Sequence, residues 1–208
     1  TDFLTKFTRE LKINAYKNEC YFIDIGIPED YHRAQKEIPA IVKNKALFLD
    51  RDGVINIDYG YVHKKEDFHF INGIFELCQK AQNDGYLIII VTNQSGIAKG
   101  YYTEEQFLEL TKWMEDKFKQ KDIFITKTYY CPYHTNARIA QYKKDSQDRK
   151  PNPGMLLKAI KEFNIDPRES ILIGDKESDV LAAKNAQIKE KVYLKHNNIN
   201  NQLESIQL

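Results

Sequence analysis

Four short stretches place oxygen and nitrogen ligands at the ends of apolar runs. FLDRDGVIN closes the first run with Asp50 and Asp52, one residue apart, and then Gly53. VTNQSG closes the second with Thr92, Asn93 and Ser95, RKP offers Arg149 and Lys150, and IGDKESD supplies Asp175, Lys176 and Asp179. Gathered at one edge, such groups suit phosphate chemistry. Carboxylates packed within a few ångströms repel one another unless a cation sits among them, and an all-oxygen donor set points to Mg²⁺. A transferring phosphoryl group needs its equatorial oxygens neutralised, which a metal ion, a Lys, a hydroxyl and backbone N–H groups can supply. A carboxylate nucleophile splits hydrolysis into two steps through an aspartyl-phosphate. A second Asp two residues on can protonate the leaving alkoxide and later activate water. Each piece alone has a plainer reading: Asp-x-Asp-Gly as a turn or part of a calcium loop, Thr92-Asn93 as a helix cap, Asp175 as a strand-end turn, Arg149-Lys150 as a solvated pair. Their order at four buried strand ends is what favours chemistry.

The elements that position these groups follow from the hydrophobic pattern. ALFLD (46–50), YLIIIVT (86–92) and SILIGD (170–175) are short, rich in aliphatic residues and not alternating, as expected of strands buried on both faces of a parallel sheet. Helical patterns lie between them at 72–85, 103–121, 152–165 and 178–187. The second starts with a capping box, Thr103 and Gln106, and the first ends on Gly85. The alternation predicts an α/β doubly wound fold with helices on both faces of a parallel sheet, whose chemistry sits at the carboxyl ends of the strands. Residues 1–42 stand outside the alternation. There CYFIDIGIPEDYHRAQKEIP predicts a short strand, a turn at Gly26 to Pro28 and a helix ending before Pro39; the core domain is expected over 43–208.

Bulk composition narrows the partners. The chain has 208 residues, is 42% hydrophobic and 29% charged, and carries a net charge of +1, so it can bury a good core and has no basic field for nucleic acid. It has no apolar run long enough to span a membrane. Three widely spaced cysteines, Cys20, Cys78 and Cys131, suit a reducing cytoplasm better than a disulfide framework.

The four motifs together resemble the haloacid dehalogenase superfamily of phosphohydrolases. DRDGVINIDYGYVH, TNQSGIAKGYYTEEQF, RKPNPGM and GDKESD resemble its group of heptose bisphosphate and histidinol-phosphate phosphatases, over roughly residues 44–195. The resemblance implies Asp50 as nucleophile and Asp52 as acid/base, with Mg²⁺ held by Asp50, the Asp52 carbonyl and Asp175. It implies that Thr92 and Lys150 steady the phosphoryl group and that Arg149 and Lys176 reach a second, distal phosphate. Asp58, Tyr59, Gly60 and Tyr61 with Asn93, Gln94 and Ser95 are then expected to line the sugar, while Asp179 orients Lys176 or caps its helix. The implied reaction is removal of the 7-phosphate of a heptose 1,7-bisphosphate. Histidinol phosphate or another small sugar phosphate is the alternative, and a macromolecular substrate a more distant one. About twenty residues separate Gly53 from the first helix, too few for a cap domain, so the site is expected to be open.

Two segments depart from the family's pattern. The loop before RKP in the heptose group resembles a zinc loop, but here its ligand positions read Cys131, Tyr133, Ser146 and Asp148, so no structural zinc is expected. A shifted site on Cys131, His134 and Asp148 is the alternative, and Tyr133 and Tyr142 are candidate anchors of a metal-free loop. YFIDIGIPEDYHRAQKEIP resembles the C-terminal end of sugar-1-phosphate nucleotidyltransferases, with Asp24 matching a metal-binding Asp. Since the chain starts on Thr1 rather than Met, it is expected to be a piece of a fused nucleotidyltransferase–phosphatase serving nucleotide-activated heptose. A private N-terminal extension is the alternative.

Overall fold

The computed structural model describes residues 21–194, and Cys20 lies outside them. The chain divides into two compact units, Thr1–Ile41 and Val42–Leu208.

In the first unit, helix α1 spans Pro28–Ile41, with Glu29 and Asp30 in its opening turn, where carboxylates favour the positive end of the helix dipole. The Asp24 carboxylate accepts the Gly26 N–H at 3.1 Å, an Asx turn that leads into the helix. Two expectations are corrected. No strand forms over residues 21–27, because no pairing partner for one exists among the described residues. The helix also continues through Pro39 to Ile41; so close to its C-terminus a proline costs one ladder bond, and its fixed φ is already helical.

The second unit is a five-stranded parallel sheet in the order β3-β2-β1-β4-β5. Its strands are β1 Lys45–Leu49, β2 Tyr86–Asn93, β3 Ile125–Cys131, β4 Ile171–Gly174 and β5 Glu190–Tyr193. Helices α2 Ile74–Asn83, α3 Ser95–Lys99, α4 Glu104–Lys119, α5 Gly154–Glu162 and α6 Glu177–Asn185 alternate with them. Central β1 shows why the run is uniformly apolar. Leu47 and Leu49 pack with Leu77, Cys78 and Met114 on the face of α2 and α4. Ala46 and Phe48 pack with Leu156, Ala159 and Ala182 on the face of α5 and α6. A strand with two buried faces has no position for a polar side chain until it leaves the sheet.

Element starts and stops follow local chemistry. The Thr103 hydroxyl accepts the Gln106 N–H while the Gln106 amide accepts the Thr103 N–H, at 3.2 and 2.9 Å. Gly85, at φ 81°, stops α2 just past Asn83. Helix α5 opens only at Gly154, after Pro151 and Pro153, which lack N–H donors. Between Asp52 and α2 the chain makes a small flap with two isolated bridges, Asp52 to Asn56 and Asn56 to Phe70, and one short 3-10 turn at Lys65–Asp67. The fold is therefore the expected one, without a cap domain between β1 and α2.

Candidate active site

The chain winds outward from β1 through β2 to β3, then returns to start β4 on the other side of β1. The carboxyl ends of β1 and β4 thus flank the switch point at which doubly wound sheets open a crevice. Asp50 and Asp175 each follow directly on one of these strands, and Thr92 lies at the end of β2.

Asp50 is buried, and its Oδ1 accepts the Arg51 N–H at 2.8 Å. Lys150 Nζ lies 2.9 Å from the same oxygen and 2.6 Å from Asp179 Oδ1, and donates to the Val91 carbonyl at 2.8 Å. The ammonium is thus set between two carboxylates and one carbonyl. The Lys150 backbone is clamped as well: Asn93 donates to its carbonyl at 3.0 Å and accepts its N–H at 3.1 Å. Burial pushes the Asp50 carboxyl up against the pull of Lys150, and Asp179 adds to the rise. Burial also opposes the charge on Lys150, but Asp50 and Asp179 outweigh it and hold the ammonium above its usual range.

Asp50, Asp175 and Asp179 each bring a carboxylate oxygen to within 4.8 Å of the others. One buried ammonium cannot balance them. Asp175 is pushed up to about 6, first by burial and then by Asp50 and Asp179, against the pull of Lys176. Its Oδ1 is buried with no hydrogen-bond partner among the described residues. Gly53, at φ 91°, makes room for this carboxylate, since a Cβ there would stand 2.2 Å from Asp175 Oδ2. Crowded oxygen donors, an unmatched buried oxygen and a deficit of positive charge fit a divalent cation held by oxygen ligands. Asp179 also accepts the Lys176 N–H at 3.0 Å, so it caps α6 as expected. It pairs with Lys150, however, rather than orienting the Lys176 side chain.

Asp52 stands outside this group of three carboxylates and borders the cleft. It accepts from Arg51 Nη2 at 2.7 and 2.8 Å, from Asn56 at 3.1 Å and from Gln94 at 3.0 Å. The Gln94 amide also donates to Thr92 Oγ1 at 2.9 Å and accepts from Tyr102 at 2.6 Å. Thr92 Oγ1 keeps its own proton to donate. Gln94 was expected to line the sugar, and it does border the cleft, but its side chain chiefly fixes Asp52 and Thr92. The motif types flagged neither Arg51 nor Asn56 nor Tyr102. Arg51 carried a signal nonetheless: a cation directly after a buried strand must find a partner or a carbonyl, and here it takes Asp52 and the Val62 carbonyl, the latter at 2.7 Å.

Above the cluster lies a cleft of about 430 Å³. Asp52, Asp58, Gly60, Tyr61, Asn93, Gln94, Ser95, Arg149, Lys150 and Lys176 border it, joined by Tyr102 and Ser178. Tyr59 does not border it; its ring packs edge-on against His69 at 5.6 Å. Asn93 faces the cleft with its amide already spent on Lys150. Lys176 pairs with Asp58 at 3.0 Å. Burial works to raise Asp58, but Lys176 and the Gly60 N–H outweigh it and hold the carboxyl below the usual range.

In the loop before Arg149, Cys131 is fully buried with its sulfur 4.0 Å from the Tyr133 carbonyl. His134 Nδ1 accepts the Asn136 N–H at 2.9 Å. Asp148 pairs with Lys158 at 2.6 Å. Among the described residues these three do not converge on a common point; the one cluster of metal-ligating side chains is that of Asp50, Asp175 and Asp179.

The model of haloacid dehalogenase-like hydrolases matches residues 133–192. The D-glycero-beta-D-manno-heptose-1,7-bisphosphate 7-phosphatase of Pasteurella multocida is 52% identical over 151 residues, 73% of this chain and 82% of its own. The alpha-anomer 7-phosphatase of Campylobacter jejuni is 52% identical over 147 residues, 71% of this chain and 80% of its own. Among solved structures, the D,D-heptose 1,7-bisphosphate phosphatase from B. bronchiseptica, complexed with magnesium and phosphate, superposes with a TM-score of 0.64. It has 24% identity and covers 79% of this chain and 88% of its own, which speaks to the shared fold.

Proposed function

This chain belongs to the heptose-1,7-bisphosphate 7-phosphatase family of haloacid dehalogenase-like hydrolases, and we propose on that premise that it removes the 7-phosphate of a D-glycero-D-manno-heptose 1,7-bisphosphate. The observation that carries the reading is the 2.9 Å pairing of buried Asp50 with Lys150, a lysine that lines the same cleft as Arg149 and Lys176.

In the first step an Asp50 carboxylate oxygen attacks phosphorus, the bond from phosphorus to the sugar oxygen breaks, and the Asp52 carboxyl gives that oxygen its proton. In the second, the Asp52 carboxylate takes a proton from water as the water oxygen attacks phosphorus, and the bond to Asp50 breaks to release phosphate. Lys150 holds Asp50 in place and neutralises it, the Thr92 hydroxyl donates to an equatorial phosphoryl oxygen, and Arg51, Asn56 and Gln94 keep Asp52 aimed. Mg²⁺ fits the cluster of Asp50, Asp175 and the Asp52 carbonyl, where it would offset the negative charge gathering on the phosphoryl oxygens. Arg149 reaches the second phosphate; Lys176 can join it by giving up Asp58.

Phosphate release should favour heptose 1,7-bisphosphate over histidinol phosphate in kcat/KM and should vanish in Asp50→Asn. Turnover surviving in that variant would refute the mechanism; a preference for histidinol phosphate would refute the substrate. Relatives of equal identity are named for the beta and the alpha anomer, so both anomers belong in the panel. For the N-terminal unit, the DIGIPEDY stretch from Asp24 to Tyr31 supports a reading as the tail of a fused nucleotidyltransferase; a parent gene with no such domain upstream would refute it.

A further inference from the structure

Arg149 and Lys150 are neighbours in sequence but are held by different means. Lys150 is fastened by Asn93 and its ion pairs. Among the described residues the Arg149 guanidinium makes one hydrogen bond, from Nη1 to the Tyr133 carbonyl at 3.4 Å. Whatever holds Tyr133 therefore aims Arg149. The Tyr133 ring lies under the Lys144 ammonium, 3.6 Å from its centroid, and against the Tyr142 ring at 6.1 Å, while the next residue, His134, donates its N–H to the Tyr142 carbonyl at 3.1 Å. Tyr142 in turn donates its hydroxyl to Glu104 Oε2 at 2.9 Å, and the other oxygen of that carboxylate takes the Tyr130 hydroxyl at 2.6 Å. Glu104 is the first residue of α4, behind the capping box at Thr103, so it is mounted on a rigid element.

We infer that Glu104 is a positioning residue for substrate binding, a protein-made staple that clips the loop to β3 and α4 through Tyr142 and Tyr130 and so aims Arg149 at the distal phosphate. The inference rests on the proposed role of Arg149. Among the described residues the Cys and His side chains of this loop join no group of three metal-ligating side chains, whereas the Glu104 carboxylate bridges two phenols. The Glu104 carboxylate bonds neither the Asp50 cluster nor the Thr92 hydroxyl; Tyr130 meets Thr92 through strand pairing, which loss of the Tyr142 hydroxyl leaves in place, so that loss should act on substrate affinity and leave the chemical step alone.

The test uses Tyr142→Phe, which removes one oxygen and leaves the ring on Tyr133, with Glu104→Gln as second variant. With heptose 1,7-bisphosphate, Tyr142→Phe should raise KM about fivefold, the worth of one ordinary hydrogen bond, while kcat stays near wild type. With p-nitrophenyl phosphate, which has no distal phosphate, both constants should be unchanged. In an Arg149→Ala background, Tyr142→Phe should cause no further rise in KM. Equal losses on both substrates, or a full effect of Tyr142→Phe in the Arg149→Ala background, would overturn the inference. So would an unchanged KM in Tyr142→Phe and Glu104→Gln where Arg149→Ala raises it. If Arg149→Ala itself leaves KM unchanged, the reading of Arg149 fails and takes the staple with it.

Discussion

Replacing Asp175 with Asn should stabilise the metal-free protein while removing its response to Mg²⁺. Folding moves this carboxyl from 3.8 to about 6. At 1.36 kcal/mol per unit, holding it ionised costs the folded state roughly 3 kcal/mol above pH 6. Its side chain is 20% exposed, and some screening brings the expected gain to roughly 2 kcal/mol. For a chain of this size that is about 4–8 °C in Tm. Because the folded value lies above the unfolded one, the penalty is complete above pH 6 and shrinks as pH falls through 6. It is absent below about 4, where both states are protonated. Thermal unfolding in chelator should therefore place Asp175→Asn above wild type at pH 7.5 and level with it near pH 4. Millimolar Mg²⁺ should raise the wild type at pH 7.5 by mass action and leave the variant still. A variant less stable than wild type in chelator at pH 7.5, or an advantage that persists near pH 4, would refute the picture of a carboxylate strained by the lack of a cation.

Three further outcomes are expected. Gly53→Ala puts a Cβ 2.2 Å from Asp175 Oδ2 at a φ of 91°; it should lose about 1–2 kcal/mol of stability and demand more Mg²⁺ for half-maximal activity, read from metal titrations. Asn93→Ala cuts both hydrogen bonds to the Lys150 backbone and should cost about 1–3 kcal/mol in urea unfolding, with a fall in kcat on every substrate. Protein stripped with chelator should recover fully with Mg²⁺ alone; a requirement for added zinc would contradict the protein-made staple.

The sheet and its helices were legible because a strand buried on both faces cannot carry a polar residue until it exits, so Asp50, Thr92 and Asp175 mark the exits by their type. Thr103 and Gln106 likewise announced the start of α4. What the sequence hid was direction and partnership. Tyr59 and Tyr61 are two residues apart in one flap, yet only Tyr61, turned by its φ of 58°, faces the cleft. Gln94 looks like a cleft residue and spends its amide on Asp52 and Thr92. Glu104 sits beside other exposed-looking acids in a helical first turn, and nothing in its neighbourhood along the chain points to two tyrosines 26 and 38 residues away. Strand β5 is short and mixed, EKVY, and becomes a strand because β4 offers it an edge.

The separate fastenings of Arg149 and Lys150 amount to a modular joint. The lysine is bolted to the scaffold by Asn93, so the stretch from Tyr133 to Asp148, beyond the end of β3, can be lengthened, exchanged or rebuilt without loosening the catalytic floor. A lineage can trade one means of stiffening that stretch for another, or retune which distal group is gripped, and keep the same hydrolytic engine. Grafting the corresponding stretch from a relative, ending before Arg149, is thus the place to begin when redirecting such an enzyme to a new phosphorylated sugar.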